Sequence, residues 1–378
     1  MMYNFVEYRS PVNIIFGAGA VVQLPEVIKQ IGKHGVLITG KNFLQENGIT
    51  DQIYMLCRRS KLKLIILPIV HSDPTVNLIK EILELLKGKR IDFIIGVGGG
   101  SVIDAAKSVS GLLGHNHVDH YLNGKPIDHE TVPVIAVPTT AGTGSEVTSN
   151  AVLTFKDEKN KKSIRGKGLF PRVAILDPEL TLTMPPILTA HTGLDALTQA
   201  MEALVSVSST PITDALCLHA IHLINGNLMR ASKKGKDLEA RTNMLWASLI
   251  TGLAFSNARL GAVHGIVHPL GAMFGIPHGL GCGILLPEVI RLNMSVAKEK
   301  YTQAAAKLNL KNPQDCIPYM RNLLRHLNVH TNFKSFGLKE ELFPEIIIKS
   351  LPSGSLKNNP KKVSKKDIRD ILLATLKN

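Results

Sequence analysis

Two patterns of hydrophobic residues divide the chain, and the change between them falls near residue 185. In the first half, short apolar runs end in glycine or proline and alternate with segments whose apolar residues recur at helical spacing. This alternation predicts parallel strands joined by helices, which is a doubly wound α/β sheet. The predicted strands are 35–40, 64–70, 91–95 and 132–140, and the predicted helices are 75–87, 103–113 and one after residue 40 that ends near Asn47.

The second half of the chain carries almost only helical patterns. Strand signals fade after Met184, and the long helical segments that follow are 196–206, 213–229, 240–256 and 295–308. The change of pattern predicts an α/β domain over residues 1–185 and a mainly helical domain over 186–378. A ligand is expected at the carboxyl ends of the strands, facing the second domain.

Composition and charge narrow the class of protein. The 378 residues, 44% hydrophobic and 20% charged, are those of a globular chain with room for two cores. Four scattered cysteines exclude a zinc ribbon and fit a reducing compartment, so we expect a cytoplasmic protein. We also expect no membrane span. The net charge is +14, but the basic residues do not interleave with aromatic residues. We therefore expect no nucleic-acid partner.

Two glycine-containing loops directly follow predicted strands. Gly98, Gly99, Gly100 and Ser101 join a strand to a helix, where free N–H groups and the helix dipole can hold a phosphate. Ser101 stands at the last glycine position of the G-x-G-x-x-G pattern, so this is not that fingerprint. Residues 138–146 bring hydroxyls and further glycines to the end of the next strand. Each loop alone could be a plain turn, but two in one sheet favour a dinucleotide.

Asp195 and three histidines are candidates for a metal site. His264 and His268 are four residues apart and therefore share one face of a helix, and His278 follows ten residues later. Asp195 lies in a separate predicted helix. The spacing alone leaves both a divalent-metal site and structural histidines open.

Four motifs, in this order, resemble the iron-containing (group III) alcohol dehydrogenase family. They are GGGSVIDAAK, PTTAGTGSEVT, GLDALTQAMEA and HGIVHPLGAMFGIPHG, and the likeness covers nearly the whole chain. The lactaldehyde reductase and short-chain alcohol dehydrogenase branches look most similar. The resemblance implies a Rossmann-like, dehydroquinate synthase-like α/β domain followed by an all-α domain that binds metal and substrate. It also implies metal-assisted hydride transfer between NAD or NADP and a small alcohol or aldehyde.

The resemblance gives roles to individual residues. Asp195, His264 and His278 match three of the family's four ligands for a divalent ion, Fe²⁺ or Zn²⁺, and His268 matches a histidine that relays a proton near the nicotinamide. The cofactor-binding positions lie in the two loops, with one lysine beyond them: Gly98, Gly99, Gly100, Ser101, Thr139, Thr140, Thr143 and Lys162. Family members are often dimers or larger, so a homo-oligomer is expected.

Gln199 departs from the family pattern, because the fourth ligand of the family is a histidine at this position. An amide oxygen binds metals weakly, so we expect a three-ligand site similar to that of glycerol dehydrogenases with zinc. Gln199 would then be a weak fourth ligand or a hydrogen-bond partner of bound water. Rescue by His191 and metal-free reduction, as in maleylacetate reductases, are the alternatives.

Gly40 is the second departure, since NAD-preferring members carry an aspartate after this strand. Glycine removes the repulsion of a 2′-phosphate, and Lys41 could bind that phosphate, so NADP should be tolerated or preferred. The alternative is that Gly40 is only a turn residue.

Two other functions compete with the dehydrogenase. A dehydroquinate-synthase-like lyase would require lysines and arginines aimed at a phosphate, and the apolar segment 253–274 argues against it. A binding protein that has lost its metal would explain Gln199 but not the retention of the aspartate and the histidines.

Overall fold

The computed structural model describes residues 7–41, 48–71, 73–115 and 117–377. They form two compact units, Ser10–Thr183 and the chain from Met184 onward together with the segment that ends at Arg9. The helix predicted directly after residue 40 falls on residues 42–47, which lie outside the described residues.

The first unit is built on a six-stranded parallel sheet. The strands are β1 (Asn13–Phe16), β2 (His34–Gly40), β3 (Lys63–Val70), β4 (Phe93–Gly98), β5 (Val134–Pro138), β6 (Asn150–Phe155), β7 (Asn160–Arg165) and β8 (Val173–Leu176). The sheet has the order β1-β8-β5-β4-β2-β3, and β6 and β7 form a separate antiparallel hairpin. The predicted doubly wound fold is confirmed.

Helices cover the sheet of the first unit, and a hydrophobic core lies on each face. Successive residues of β2 belong to different cores, since Val36 and Ile38 pack in one and Leu37 in the other. Burial on both faces explains why these strands read as continuous apolar runs. The helices are α1 (Leu24–Lys29), α2 (Ile49–Arg59), α3 (Val76–Leu86), α4 (Gly100–Leu112) and α5 (Val118–Leu122).

Four strands of this unit were not predicted from the sequence. β1 and β8 have four residues each, too few for a periodic pattern. The hairpin carries polar residues such as the Asn-Lys-Lys-Ser run of β7, and it is stabilised by pairing with β6 from Asn150 to Phe155.

The second unit is helical, as predicted. Its helices are α6 (Pro186–Val205), α7 (Pro211–Lys233), α8 (Leu238–Ala258), α9 (Ala262–Phe274), α10 (His278–Lys307), α11 (Cys316–His326), α12 (Phe343–Ser350) and α13 (Lys365–Lys377). α6 packs against α7, α8 and α10, and α9 packs against α10. α10 is long and apolar enough to cross a membrane, but 72% of its most apolar window is buried, as in a core helix.

Candidate metal and cofactor sites

Three helices of the second unit bring the predicted metal ligands together. α6 supplies Asp195, α9 supplies His264, and α10 supplies His278 at its first position. Cys282 follows one turn after His278. One ligand atom from each of these four residues lies within 4.8 Å of the others.

The close approach of α10 to α6 depends on Gly279. A Cβ atom at this position would lie 1.9 Å from the carbonyl oxygen of His191 and 3.2 Å from the Cβ of Asp195. Because glycine has no Cβ, the first turn of α10 lies directly on α6, and Nε2 of His278 is 3.7 Å from Oδ1 of Asp195.

Glu202 orients His264. Its Oε2 lies 2.6 Å from Nδ1 of His264, and its Oε1 accepts a hydrogen bond of 2.6 Å from the backbone N–H of Val263. An ionised carboxylate can only accept, so Nδ1 carries the proton and Nε2 faces Oδ1 of Asp195 at 3.4 Å. Sequence reasoning did not single out Glu202, although it lies seven residues, or two helical turns, after Asp195.

The cluster favours a positive charge. Burial lowers the pKa of His264, but the surrounding Cys282, Glu202 and Asp195 more than offset this and hold the pKa well above its ordinary value. Oδ1 of Asp195 is buried and accepts no hydrogen bond from the described residues. One carboxylate oxygen, two imidazole nitrogens and a sulfur are typical donors for a divalent transition metal, so the residues fit a metal ion.

The remaining predicted metal-site residues lie on the same helices as the cluster. Gln199 lies one turn after Asp195 on α6, and its buried Oε1 has no hydrogen-bond partner among the described residues. His191 lies one turn before Asp195, and the group of four ligand atoms found in the described chain does not include it. His268, one turn after His264, stacks on His278 with ring centroids 5.6 Å apart.

The glycine loop of the first unit lies at a topological switch point. β2 leads to β3 on one side of the sheet, whereas β4, which also pairs with β2, leads to β5 on the other side. Ligands of doubly wound sheets bind at the carboxyl ends of such a strand pair. Gly40 ends β2 and Gly98 ends β4, so two predicted cofactor positions share this edge.

The two loops predicted to bind the cofactor pack against each other. A Cβ on Gly99 would lie 3.2 Å from Oγ1 of Thr140, and one on Gly100 would lie 2.7 Å from Oγ1 of Thr143. The backbone N–H of Thr139 donates to the carbonyl of Gly98 at 3.0 Å. Gly99 caps α4 without a side-chain hydrogen bond, so the first N–H groups of this helix are open to an anion.

A buried ion pair that sequence reasoning did not single out holds the threonine loop. Nζ of Lys107, fully buried in α4, donates to the carbonyl of Ser145 at 2.9 Å and to Oγ1 of Thr148 at 3.0 Å, and it lies 3.2 Å from Asp104. Oδ2 of Asp104 accepts from the backbone N–H of Val152 at 2.9 Å. Burial lowers the pKa of Lys107. These bonds fix the loop that carries the predicted threonines.

Lys162 and its neighbour Lys161 point to opposite faces of the hairpin, as alternation along a strand requires. Lys162 is ion-paired with Glu158 at 2.6 Å. Lys161 is buried, and its Nζ lies 2.7 Å from Asp73, whose backbone N–H donates to Oγ of Ser101 at 3.2 Å. The structure thus links Lys161 to the glycine loop through Asp73, and the role of Lys162 near the ribose stays a prediction.

Comparison with known proteins shows the family. The profile of the "Iron-containing alcohol dehydrogenase" family matches residues 11–178, and that of the "Fe-containing alcohol dehydrogenase family, C-terminal" matches residues 189–376. The chain belongs to the iron-containing alcohol dehydrogenase family. It is an oxidoreductase of the NAD(P)-dependent, metal-using alcohol dehydrogenase type, as the sequence motifs predicted.

Individual relatives span the whole chain. The NAD-dependent methanol dehydrogenase of Bacillus methanolicus is 33% identical, over 98% of this chain and 99% of its own. The lactaldehyde reductase of Escherichia coli (strain K12) is 33% identical, over 94% and 96%. A crystal structure of 1,3-propanediol oxidoreductase is 33% identical and superposes with a TM-score of 0.94, over 98% of this chain and 100% of its own.

Proposed function

We propose that this enzyme interconverts small primary alcohols and their aldehydes, with a divalent ion held by Asp195, His264 and His278. The observation that carries the proposal is the convergence of these three side chains from three helices, with a buried, unpartnered carboxylate oxygen among them. A buried carboxylate oxygen that accepts no hydrogen bond is costly, and a cation would satisfy it.

The residues around the ion have separate tasks. When bound, the ion supplies Lewis-acid polarisation of the C–O bond, while the nicotinamide supplies or accepts the hydride. Glu202 fixes the tautomer and ring orientation of His264. His268, stacked on His278, is the group that passes the alcohol proton towards solvent, since imidazole gains and loses a proton near neutral pH. Gln199 accepts a hydrogen bond from water or binds the ion weakly.

The cofactor site proposed here is the edge formed by the glycine and threonine loops. The open N-terminus of α4 would hold the pyrophosphate, with contacts from Gly98, Gly99, Gly100, Ser101, Thr139, Thr140 and Thr143. Lys161 is better placed than Lys162 for the ribose, because it reaches Ser101 through Asp73.

Gly40 makes this site permissive for NADP. A Cβ there would meet nothing closer than the carbonyl of Val70 at 3.9 Å, so crowding does not demand glycine at this position. An aspartate would fit, and its absence removes the repulsion of a 2′-phosphate.

We also propose short, weakly polar substrates, a homo-oligomer and a cytoplasmic location. The names of the methanol dehydrogenase, lactaldehyde reductase and propanediol oxidoreductase relatives support the substrate class.

The test is activity of metal-stripped enzyme reloaded with Fe²⁺, Zn²⁺, Mn²⁺ or Co²⁺. It uses NADH and NADPH with a series of linear aldehydes from acetaldehyde to hexanal. We expect turnover to return with at least one metal and to be lost in Asp195→Ala. Full turnover by stripped enzyme would contradict the proposal.

A further inference from the structure

Cys282 lies inside the metal site, although neither the family motifs nor the proposed function uses it. It is fully buried, and its Sγ lies 3.8 Å from Nε2 of His264 and 3.7 Å from Nε2 of His278. The same α10 face carries His278 and Cys282, because four residues make about one helical turn. Any ion between the two imidazoles therefore lies next to this sulfur.

Four distances within the cluster are close to, or slightly longer than, the edges of a tetrahedron. Bond lengths of about 2.0–2.3 Å at a four-coordinate zinc place neighbouring ligand atoms roughly 3.3–3.6 Å apart. The measured edges are 3.4 Å and 3.7 Å from Asp195 to the two imidazoles, and 3.8 Å and 3.7 Å from Cys282 to them. All four donor atoms lie within 4.8 Å of one another, so one ion between them is within reach of each.

The cluster is rich in acceptors and poor in protons. Nδ1 of His264 donates to Glu202, so Nε2 is the ring nitrogen left to bind a cation. Oδ1 of Asp195 is also an acceptor, and it is unpartnered. The single S–H proton of Cys282 can serve only one acceptor at a time. A cation satisfies all of these atoms together, provided that the thiol gives up its proton.

We infer that Cys282 is the fourth protein ligand and that its thiolate replaces the imidazole absent at position 199. The inference rests on the proposed function, because it concerns the same ion. On binding, the S–H bond breaks, a sulfur–metal bond forms and the proton leaves to solvent. Thiolate is a soft ligand, so the Asp-His-His-Cys set selects Zn²⁺ and Co²⁺ over Fe²⁺. The carboxylate of Asp195 and the thiolate of Cys282 are both anionic, and together they neutralise the charge of the divalent ion.

The test is the absorption spectrum of the cobalt-substituted full-length enzyme. A thiolate ligand gives a near-ultraviolet charge-transfer band that nitrogen and oxygen ligands do not give. We expect this band in the wild type and in Cys217→Ser, which removes another fully buried thiol, on α7. We expect Cys282→Ser to lose the band. In the zinc enzyme, X-ray absorption should show one sulfur at about 2.3 Å, absent in Cys282→Ser.

Metal content separates the possible failures. Cobalt bound at one ion per chain without the band, or a band unchanged in Cys282→Ser, would overturn the role of Cys282 and leave the three-ligand site intact. No cobalt bound by the wild type would overturn both the inference and the proposed function. We expect the zinc affinity of Cys282→Ser to fall by more than the about 10–100-fold that loss of an outer hydrogen-bond partner costs.

Discussion

Position 199 decides how the metal site differs from that of its family. Gln199 is buried one turn after Asp195, and its Oε1 has no partner among the described residues. A neutral amide next to a carboxylate adds little to the field that holds a cation. The choice of metal therefore depends on whichever donor stands in for the missing imidazole, and Cys282 is within reach of both histidines.

Gln199→His should strengthen the retention of Fe²⁺, because imidazole is a better ligand for this ion than an amide oxygen. The measurement is the rate at which iron leaves the reloaded enzyme in the presence of a chelator. Gln199→Asn, which keeps the amide, is the matched control. Equal iron loss from the wild type and Gln199→His would contradict the assignment of this position.

Gly40→Asp should depress turnover with NADPH more than turnover with NADH. The new carboxylate would stand at the end of β2, beside the glycine loop, and would repel a 2′-phosphate. The quantity to measure is the ratio of kcat/KM for the two cofactors, with Gly40→Asn as the uncharged control. Equal losses with both cofactors would mean that Gly40 does not face the adenosine ribose.

Helix packing sets the geometry of the metal site. The first turn of α10 lies against α6 at Gly279, where a Cβ would lie 1.9 Å from a backbone oxygen that cannot move aside easily. The position of His278 against Asp195 thus follows from the contact between two helices.

Gly279→Ala should push α10 away from α6 and destabilise the enzyme by about 1–3 kcal/mol, the usual cost of overpacking. Metal affinity should fall as well, because His278 moves with the helix. Gly226→Ala is the matched control, since nothing lies within 4 Å of a Cβ there and the position is inside α7. Urea unfolding and metal titration report both effects, and unchanged affinity in Gly279→Ala would refute the role of this contact.

Glu146, in the turn after the threonine loop, should make stability pH-dependent. Burial raises the pKa of this carboxyl from 4.5 to about 7. Because the pKa of this carboxyl is higher in the folded state than in the unfolded state, the protein loses stability as pH rises from about 4.5 to about 7. The loss is complete above that window. Glu146→Gln should therefore gain about 3 kcal/mol relative to the wild type at about pH 8 and almost nothing at about pH 4.

The check on Glu146 is urea unfolding at both pH values. Glu341→Gln, at an exposed position, should not change the pH dependence. A Glu146→Gln variant that gains no stability at the higher pH would show that burial does not raise the pKa of this carboxyl.

Across the whole molecule, the sequence predicted the elements with a recurring apolar pattern and the site residues that lie in long family motifs. The buried strands β2 to β5 and the long helices were visible as apolar patterns, while four-residue strands such as Val173–Leu176 were not. Asp195, His264 and His278 were found through family motifs. Glu202 and Cys282 were not, because a single glutamate or cysteine in an apolar helix gives no signal until other helices pack beside it.

In the first unit, which carries the predicted cofactor loops, contacts between elements were likewise not visible in the sequence. The glycine and threonine loops were predicted from strand–loop–helix order, but their mutual packing depends on the pairing of β4 with β5. Lys162 was assigned to the cofactor ribose through the family resemblance, and this assignment stays a prediction. The hairpin that places Lys161 and Lys162 on opposite faces was not predicted.

The proposed ion site, where Asp195, His264 and His278 meet, is tested most simply by metal stoichiometry after loading and extensive dialysis. We expect one zinc or cobalt ion per chain in the wild type and almost none in Asp195→Ala, with both proteins folded by circular dichroism. Equal metal content in the two proteins would contradict it.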